Sequence, residues 1–253
     1  MKWLGEKSNV GLALSRIGLG GVFRRIREIT CVNLVITTRC NLSCPNCCCD
    51  IPGRKQRWDA DMEYLERAAE CFRGIDRLQL TGGEPSLHPR FQAIVPRMRD
   101  LFRCKSLTIE SNGVRFRQIP MIFEQFDAIY ATHYAPPEFE KDNGEEIRFL
   151  RDYLRPKGIT VHSFDIHHIP RPAQRDQPCF RGVSVTVACY LGKIYPCCVG
   201  WGVEGARNVP MEPGWRGALP SVRLPCSGCY FAQEKLIQRV SSLSGRFLKR
   251  LRG

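Results

Sequence analysis

Between residues 32 and 166 the chain alternates short β-rich runs with helical stretches, the pattern of a parallel α/β fold. Residues 32–38 (VNLVITT) predict a buried first strand that runs into a cysteine-rich loop. Residues 77–80 predict a second strand ending at Thr81-Gly82-Gly83-Glu84-Pro85, and residues 106–110 a third ending at Ser111-Asn112-Gly113. Further strands are expected over 127–132 and 160–166, with helices over 89–103 and 143–155. Asp59 or Asp61 can cap the helix in which Met62, Leu65, Ala69 and Phe72 recur on one face. The chemically suggestive residues therefore fall just after the carboxyl ends of strands, where parallel α/β folds build their sites. Five or six βα units are too few to close an eight-stranded barrel. A partial, open (β/α)6 TIM-like barrel is the expected fold.

After about residue 178 the pattern changes. Residues 183–190, a turn at Leu191-Gly192-Lys193, and residues 194–199 predict a β-hairpin. A loop rich in glycine and proline follows and ends in Pro225-Cys226-Ser227-Gly228-Cys229. The expected organisation is a basic extension over 1–30, the partial barrel over 31–175, a small hairpin-and-knuckle domain over 176–230, and a basic amphipathic helix over 231–253.

The chain has 253 residues and a formal charge of +13, with six Lys and Arg against two Glu before residue 31 and six against one after residue 229. The C-terminal stretch sets Leu236, Ile237, Val240, Leu243, Phe247, Leu248 and Leu251 at helical spacing among the basic residues. Such a helix docks on the body with a solvated basic face, or touches a membrane or an acidic partner. No uncharged apolar stretch approaches the ~18–20 residues of a membrane span. Residues 1–18 hold no clean apolar signal core, because Arg16 and glycines interrupt them. The fourteen cysteines are therefore expected in a reducing cytoplasm, where clustered thiols mean metal or redox chemistry.

Cys40, Cys44 and Cys47 stand at C-x3-C-x2-C on one loop. Cysteine thiolates hold iron–sulfur clusters, and this spacing lets a single loop wrap one; three ligands leave one iron of a four-iron cluster open. Zinc is the alternative, with Cys48 or Cys49 as the fourth ligand. A second set comprises Cys179, Cys197, Cys226 and Cys229, which could hold one more cluster or one zinc ion. Cys189 and Cys198 compete for places in it, while Cys31, Cys48, Cys49, Cys71 and Cys104 read as buried apolar residues or spectators.

The cysteine loop after strand one, GGEP after strand two and SNG after strand three together resemble the radical S-adenosylmethionine (SAM) enzymes. The resemblance implies that Cys40, Cys44 and Cys47 hold a [4Fe–4S] cluster whose open iron is chelated by SAM. It implies that Gly82, Gly83 and Glu84 meet the methionine amino group, and that Ser111 and Asn112 lie near the ribose or methionine carboxylate. Asn46 departs from the family, which usually places an aromatic residue there against the adenine. The second cysteine set resembles a twitch domain, a shortened SPASM-type domain, which implies an auxiliary [4Fe–4S] cluster on Cys179, Cys197, Cys226 and Cys229. Length and cysteine spacing are most similar to the aminocyclitol dehydrogenase of butirosin-type biosynthesis, a likeness that leaves the substrate open.

The resemblance implies reductive cleavage of SAM to a 5′-deoxyadenosyl radical, which takes a hydrogen atom from the substrate in a water-excluded cleft. A flavodoxin- or ferredoxin-type donor would supply the electron. Dehydrogenation of a small molecule of the amino sugar or cyclitol type is expected, with the auxiliary cluster as electron acceptor. Modification of a ribosomally made peptide is the alternative. Arg171, before Cys179, is a candidate for orienting substrate or assisting deprotonation; His133, with His167 and His168, is a candidate base. A non-enzymatic zinc protein that binds nucleic acid through its basic ends is the reading from another class. It leaves GGEP and SNG unexplained, so nucleic acid is not the expected partner.

Overall fold

The computed structural model describes residues 31–44, 47, 57–136, 139, 141–165, 186–195 and 208–215. The expected N-terminal extension, the C-terminal amphipathic helix and the knuckle at Cys226 and Cys229 lie outside these residues.

The described elements are β1 (Cys31–Thr37), α1 (Met62–Phe72), β2 (Arg77–Gly82), α2 (Phe91–Phe102), β3 (Ser106–Ser111), β4 (Ala128–His133), α3 (Gly144–Leu154), β5 (Thr160–Asp165), β6 (Thr186–Tyr190), β7 (Lys193–Tyr195) and β8 (Val209–Pro210). They build one sheet of order β5-β4-β3-β2-β1-β6-β7-β8. From β5 to β6 every pairing is parallel. β7 and β8 add antiparallel strands beyond β6. This is the mixed α/β fold with a central parallel sheet that a partial TIM-like barrel requires. Between β3 and β4 the described helical segment is 3₁₀ (Pro120–Gln125) rather than α.

The hairpin is not detached from the barrel strands. β6 runs parallel to β1 with Cys31 opposite Thr186 and Leu34 opposite Cys189, so the expected appendage is hydrogen-bonded into the main sheet. β1 is thereby central and buried along its whole length. All seven of its residues are buried, Asn33 and Thr37 among them, so the strand shows no alternation of exposed positions.

The helices cover one face of the sheet. Leu34, Leu78, Leu80, Leu107, Ile109 and Ile129 meet Leu65, Phe72, Phe91, Phe102 and Leu150 in a single core. Several of these large side chains are fully buried, each contributing about 1.5–3 kcal/mol relative to exposure. Asp61, not Asp59, caps α1: its Oδ1 accepts the Tyr64 N–H at 2.7 Å. Residues that alternate with the core set, such as Gln79, Glu110 and Tyr130, face away from the helices and are half-buried.

Candidate functional site

The loop that follows β1 is clamped at its two stems. Thr38 N–H donates to Trp58 O at 2.8 Å, and Trp58 N–H donates back to Thr38 Oγ1 at 2.7 Å. Asp59 spends its carboxylate here. It accepts Thr37 Oγ1–H at 2.6 Å and the Arg39 Nε–H at 3.0 and 2.9 Å, and Arg39 closes a second contact at 2.9 Å. A two-point guanidinium–carboxylate contact of this kind gives direction as well as attraction.

Cys40, Cys44 and Cys47 all stand on this loop, half-buried. Cys47 N–H donates to Cys44 O at 3.2 Å, so the last two thiols belong to one turn. Leu42 N–H points at Cys40 Sγ from 3.4 Å. Burial pushes the Cys40 thiol up to about 11, with the charges of Glu84 and Cys47 adding to it. Such a thiol ionises more readily when a cation compensates it, and iron would supply that compensation. A four-iron cluster takes each thiolate on its own iron, so three thiols on one loop suit a cluster with one iron left open.

The turn after β2 is pressed onto this loop. Gly83 N–H donates to Thr37 O at 3.0 Å, and Glu84 N–H donates to Arg39 O at 2.7 Å. A Cβ on Gly82 would sit 2.2 Å from Thr37 O, and one on Gly83 would sit 2.3 Å from Arg39 O. Glycine is required at both positions by the approach of two backbones.

Glu84 is fully buried. Its Oε1 accepts Ser86 N–H at 3.0 Å, Ser86 Oγ–H at 2.6 Å and Ser111 Oγ–H at 2.9 Å; its Oε2 accepts Asn112 N–H at 2.6 Å. Burial raises its carboxyl pKa, and these four hydrogen bonds oppose the rise. The carboxylate thus joins the turn after β2 to the turn after β3, and this structure assigns both its oxygens to that joint.

Ser111 and Asn112 complete the junction. Ser111 Oγ accepts Gly113 N–H at 3.1 Å. Asn112 Nδ2 donates to Asn41 Oδ1 at 2.9 Å and lies 4.0 Å from Cys40 Sγ, while its Oδ1 accepts Val114 N–H at 3.1 Å. The three segments singled out in the sequence are therefore in direct contact with one another.

Two residues that sequence reasoning missed hold the next strand end. Buried Asn143 donates through Nδ2 to Asn112 O and Thr132 O, both at 2.8 Å, and accepts Tyr134 N–H at 3.0 Å. Its position before α3 reads as a helix cap, yet its side chain makes no cap bond. Tyr134 is buried beside it, and the charges of Glu84, Cys40 and Cys44 add to the burial that raises its hydroxyl pKa.

His133 ends β4 on the same rim, with Nε2 3.1 Å from Asp142 Oδ1. Asp142 is held below the usual carboxylate range by the Gly144 N–H and by His133. Among the described residues Cys189 joins no group of metal-ligating side chains. It is fully buried in the core, within 3.4 Å of Tyr64 Oη and 3.0 Å of Met211 Sδ, and burial pushes its thiol up to about 12. Cys31 and Cys104 are buried as well. Asn46, His167, His168, Arg171, Cys179, Cys197, Cys226 and Cys229 lie outside the described residues.

Residues 34–136, which contain every contact of this junction except those of Asn143, match the family model of the Radical SAM superfamily. Over these residues the chain is similar to the radical SAM superfamily. A GTP 3',8-cyclase from Parasynechococcus marenigrum is 38% identical over 69 residues, covering 27% of this chain and 20% of that one. Another, from Haemophilus ducreyi, is 30% identical over 128 residues, covering 47% and 37%. The chain thus spans well under half the length of these curated relatives. In fold it is similar to the crystal structure of BtrN in complex with AdoMet and 2-DOIA, with a TM-score of 0.54 at 15% identity over 76% of this chain and 81% of that one. Among the described residues no helix is long and apolar enough to cross a membrane.

Proposed function

We propose that this chain is a radical SAM enzyme that oxidises a small molecule of the amino sugar or cyclitol type by two electrons. The observation that carries the reading is the joint at Glu84 and Asn112, which ties the cysteine loop, the Gly-Gly-Glu turn and the Ser-Asn-Gly turn into one rim. The fold likeness to BtrN, solved with 2-DOIA, supports the substrate class.

Cys40, Cys44 and Cys47 would hold the [4Fe–4S] cluster, and Gly82, Gly83, Ser111 and Asn112 would border SAM. When bound, the pair supplies one-electron reductive cleavage of SAM and a radical able to take a hydrogen atom from an unactivated C–H bond. The chain's own residues bury and orient. Glu84 and Asn143 lock the turns, and the apolar helix layer backs the sheet against solvent.

Oxidising an alcohol to a ketone removes one hydrogen atom, one proton and one electron. His133, oriented by Asp142 at 3.1 Å, is the base assigned to the proton. Arg171 would orient the substrate. Cys179, Cys197, Cys226 and Cys229 would hold an auxiliary cluster, a one-electron acceptor.

The test is iron, sulfide and zinc content after anaerobic reconstitution, compared between wild type, a Cys40/Cys44/Cys47→Ala triple variant and a Cys226/Cys229→Ala double variant. About eight irons in wild type and about four in the triple variant are expected for two four-iron clusters. Zinc without sulfide would overturn the cofactor assignment. About four irons in wild type, all lost in the triple variant, would remove the internal electron acceptor and with it the dehydrogenase reading.

A further inference from the structure

The side chain of Asn112 joins the turn after β3 to the cysteine loop through its amide nitrogen. Asn112 is 6% exposed, so its polar atoms need partners inside the protein. Its backbone N–H donates to Glu84 Oε2 at 2.6 Å, and its carbonyl accepts from Asn143 Nδ2 at 2.8 Å. Its Oδ1 accepts the Val114 N–H at 3.1 Å. That backbone donor has to meet an oxygen, which fixes the amide in one orientation and turns Nδ2 toward the loop of Cys40. Nδ2 carries two protons. One goes to Asn41 Oδ1 at 2.9 Å; the other faces Cys40 Sγ at 4.0 Å, the outer reach of an N–H···S contact.

A brace between the two turns is complete with the bond to Asn41. The second N–H meets a different kind of acceptor, the sulfur of a candidate cluster ligand. A thiol sulfur is a weak acceptor, whereas a thiolate gains from charge-assisted hydrogen bonding. Cys40 Sγ also receives the Leu42 N–H from 3.4 Å, a donor that belongs to its own loop. Asn112 is instead 72 residues away in the chain and reaches the same sulfur from another strand end. Every polar atom of Asn112 thus has a partner within the protein, and one of those partners is the sulfur of Cys40.

We infer that Asn112 is a positioning residue for the iron–sulfur cluster: its Nδ2–H donates to the Cys40 thiolate and raises the reduction potential of the cluster. A donor on a ligand sulfur withdraws negative charge and so favours the reduced state. Asn112 acts on the cofactors in this way rather than through a hydrogen bond of its amide to SAM. The inference rests on the proposed cluster at Cys40, Cys44 and Cys47, and goes further by assigning a donor that tunes it.

The test uses the anaerobically reconstituted full chain without SAM, with nitrogen-15 in the asparagine side-chain amides. Pulsed EPR of the reduced protein reads nitrogen coupling to the cluster whose signal is absent from the Cys40/Cys44/Cys47→Ala variant. A nitrogen-15 coupling is expected in wild type, lost in Asn112→Leu and kept in Asn41→Ala, which breaks the brace but leaves the Asn112 N–H. Potentiometric titration of the same signal is expected to give a lower midpoint in Asn112→Leu. At the wild-type midpoint its reduced-to-oxidised ratio should be down threefold or more, about 28 mV for a one-electron couple. Asn41→Ala should titrate with wild type. The coupling is read on wild type itself, so the inference stays open to refutation if Asn112→Leu does not fold. No nitrogen-15 coupling in wild type, a coupling lost in Asn41→Ala, an unchanged midpoint in Asn112→Leu, or an equal fall in Asn41→Ala overturns it. Iron and sulfide content judges the cofactor reading separately: with no cluster on the first cysteine set both fall, and with one present these outcomes remove the role of Asn112 alone.

Discussion

Glu84 and Asn112, 28 residues apart in the chain, meet through a 2.6 Å hydrogen bond from the Asn112 backbone N–H to the Glu84 carboxylate. The bond crosses from the end of β2 to the end of β3, and the same carboxylate accepts three further donors. An anionic side chain surrounded by donors is the inverse of a solvent-facing ligand group. It acts as the keystone of the rim on which the cofactors would rest.

Glu84→Gln keeps the shape of that side chain but turns one oxygen into a donor among donors. At least one buried N–H or O–H then loses its acceptor, at a cost of about 1–3 kcal/mol. Urea denaturation should show a lower midpoint with an unchanged slope, and iron retention after gel filtration should fall with it. A midpoint equal to wild type would mean that the carboxylate is not essential to the joint.

Gly83→Ala drives a methyl group into the Arg39 carbonyl and to within 3.0 Å of Cys40 Cβ. Overpacking of this kind costs about 1–3 kcal/mol, and here it pushes directly on the loop of Cys40, Cys44 and Cys47. Gly158→Ala is the control: it has nothing within 4 Å, but its φ of +74° imposes a penalty of about 1–2 kcal/mol. The two variants should lose comparable stability, yet only Gly83→Ala should lose iron. Equal iron loss in both would refute a specific role for the close approach.

His88 is buried, with Nε2 2.9 Å from Ala60 O and Nδ1 accepting Arg90 N–H at 3.0 Å. The neutral ring satisfies both contacts, with its proton on Nε2. Burial lowers its pKa below the unfolded value of about 6.5. The unfolded chain therefore takes up the proton first as pH falls. Stability from this group is complete above about pH 6.5 and declines as pH drops through 6.5 toward the folded pKa. Denaturation midpoints between pH 7.5 and 5 should fall less steeply in His88→Gln than in wild type; parallel slopes would exclude His88 as the source.

Much of the barrel was legible in the sequence because local patterns suffice for it. The β-rich runs and the helical periodicity of Met62, Leu65, Ala69 and Phe72 are properties of neighbouring residues, and they predicted β1 to β5, α1, α2 and α3 to within about three residues at each end. The spacing of Cys40, Cys44 and Cys47 was equally local. So was the choice of turn residues at Gly82-Gly83 and Gly113, although their reason was not. Gly82 and Gly83 answer to the backbone of Thr37 and Arg39, some 45 residues earlier in the chain.

What the sequence by itself determined is the order of strands and helices and the chemistry at each strand end, since both are written in short stretches of the chain. Only the tertiary structure decided what those ends are bonded to. It moved Asp59 from helix cap to clamp on Arg39, gave both oxygens of Glu84 to the neighbouring turns, and made Asn143 a tie between β3 and β4. It also placed β6 beside β1 and set Cys189 in the core. A buried polar group must find a partner wherever the fold brings one within reach, and that partner is chosen by proximity in space, which residue spacing along a chain does not encode.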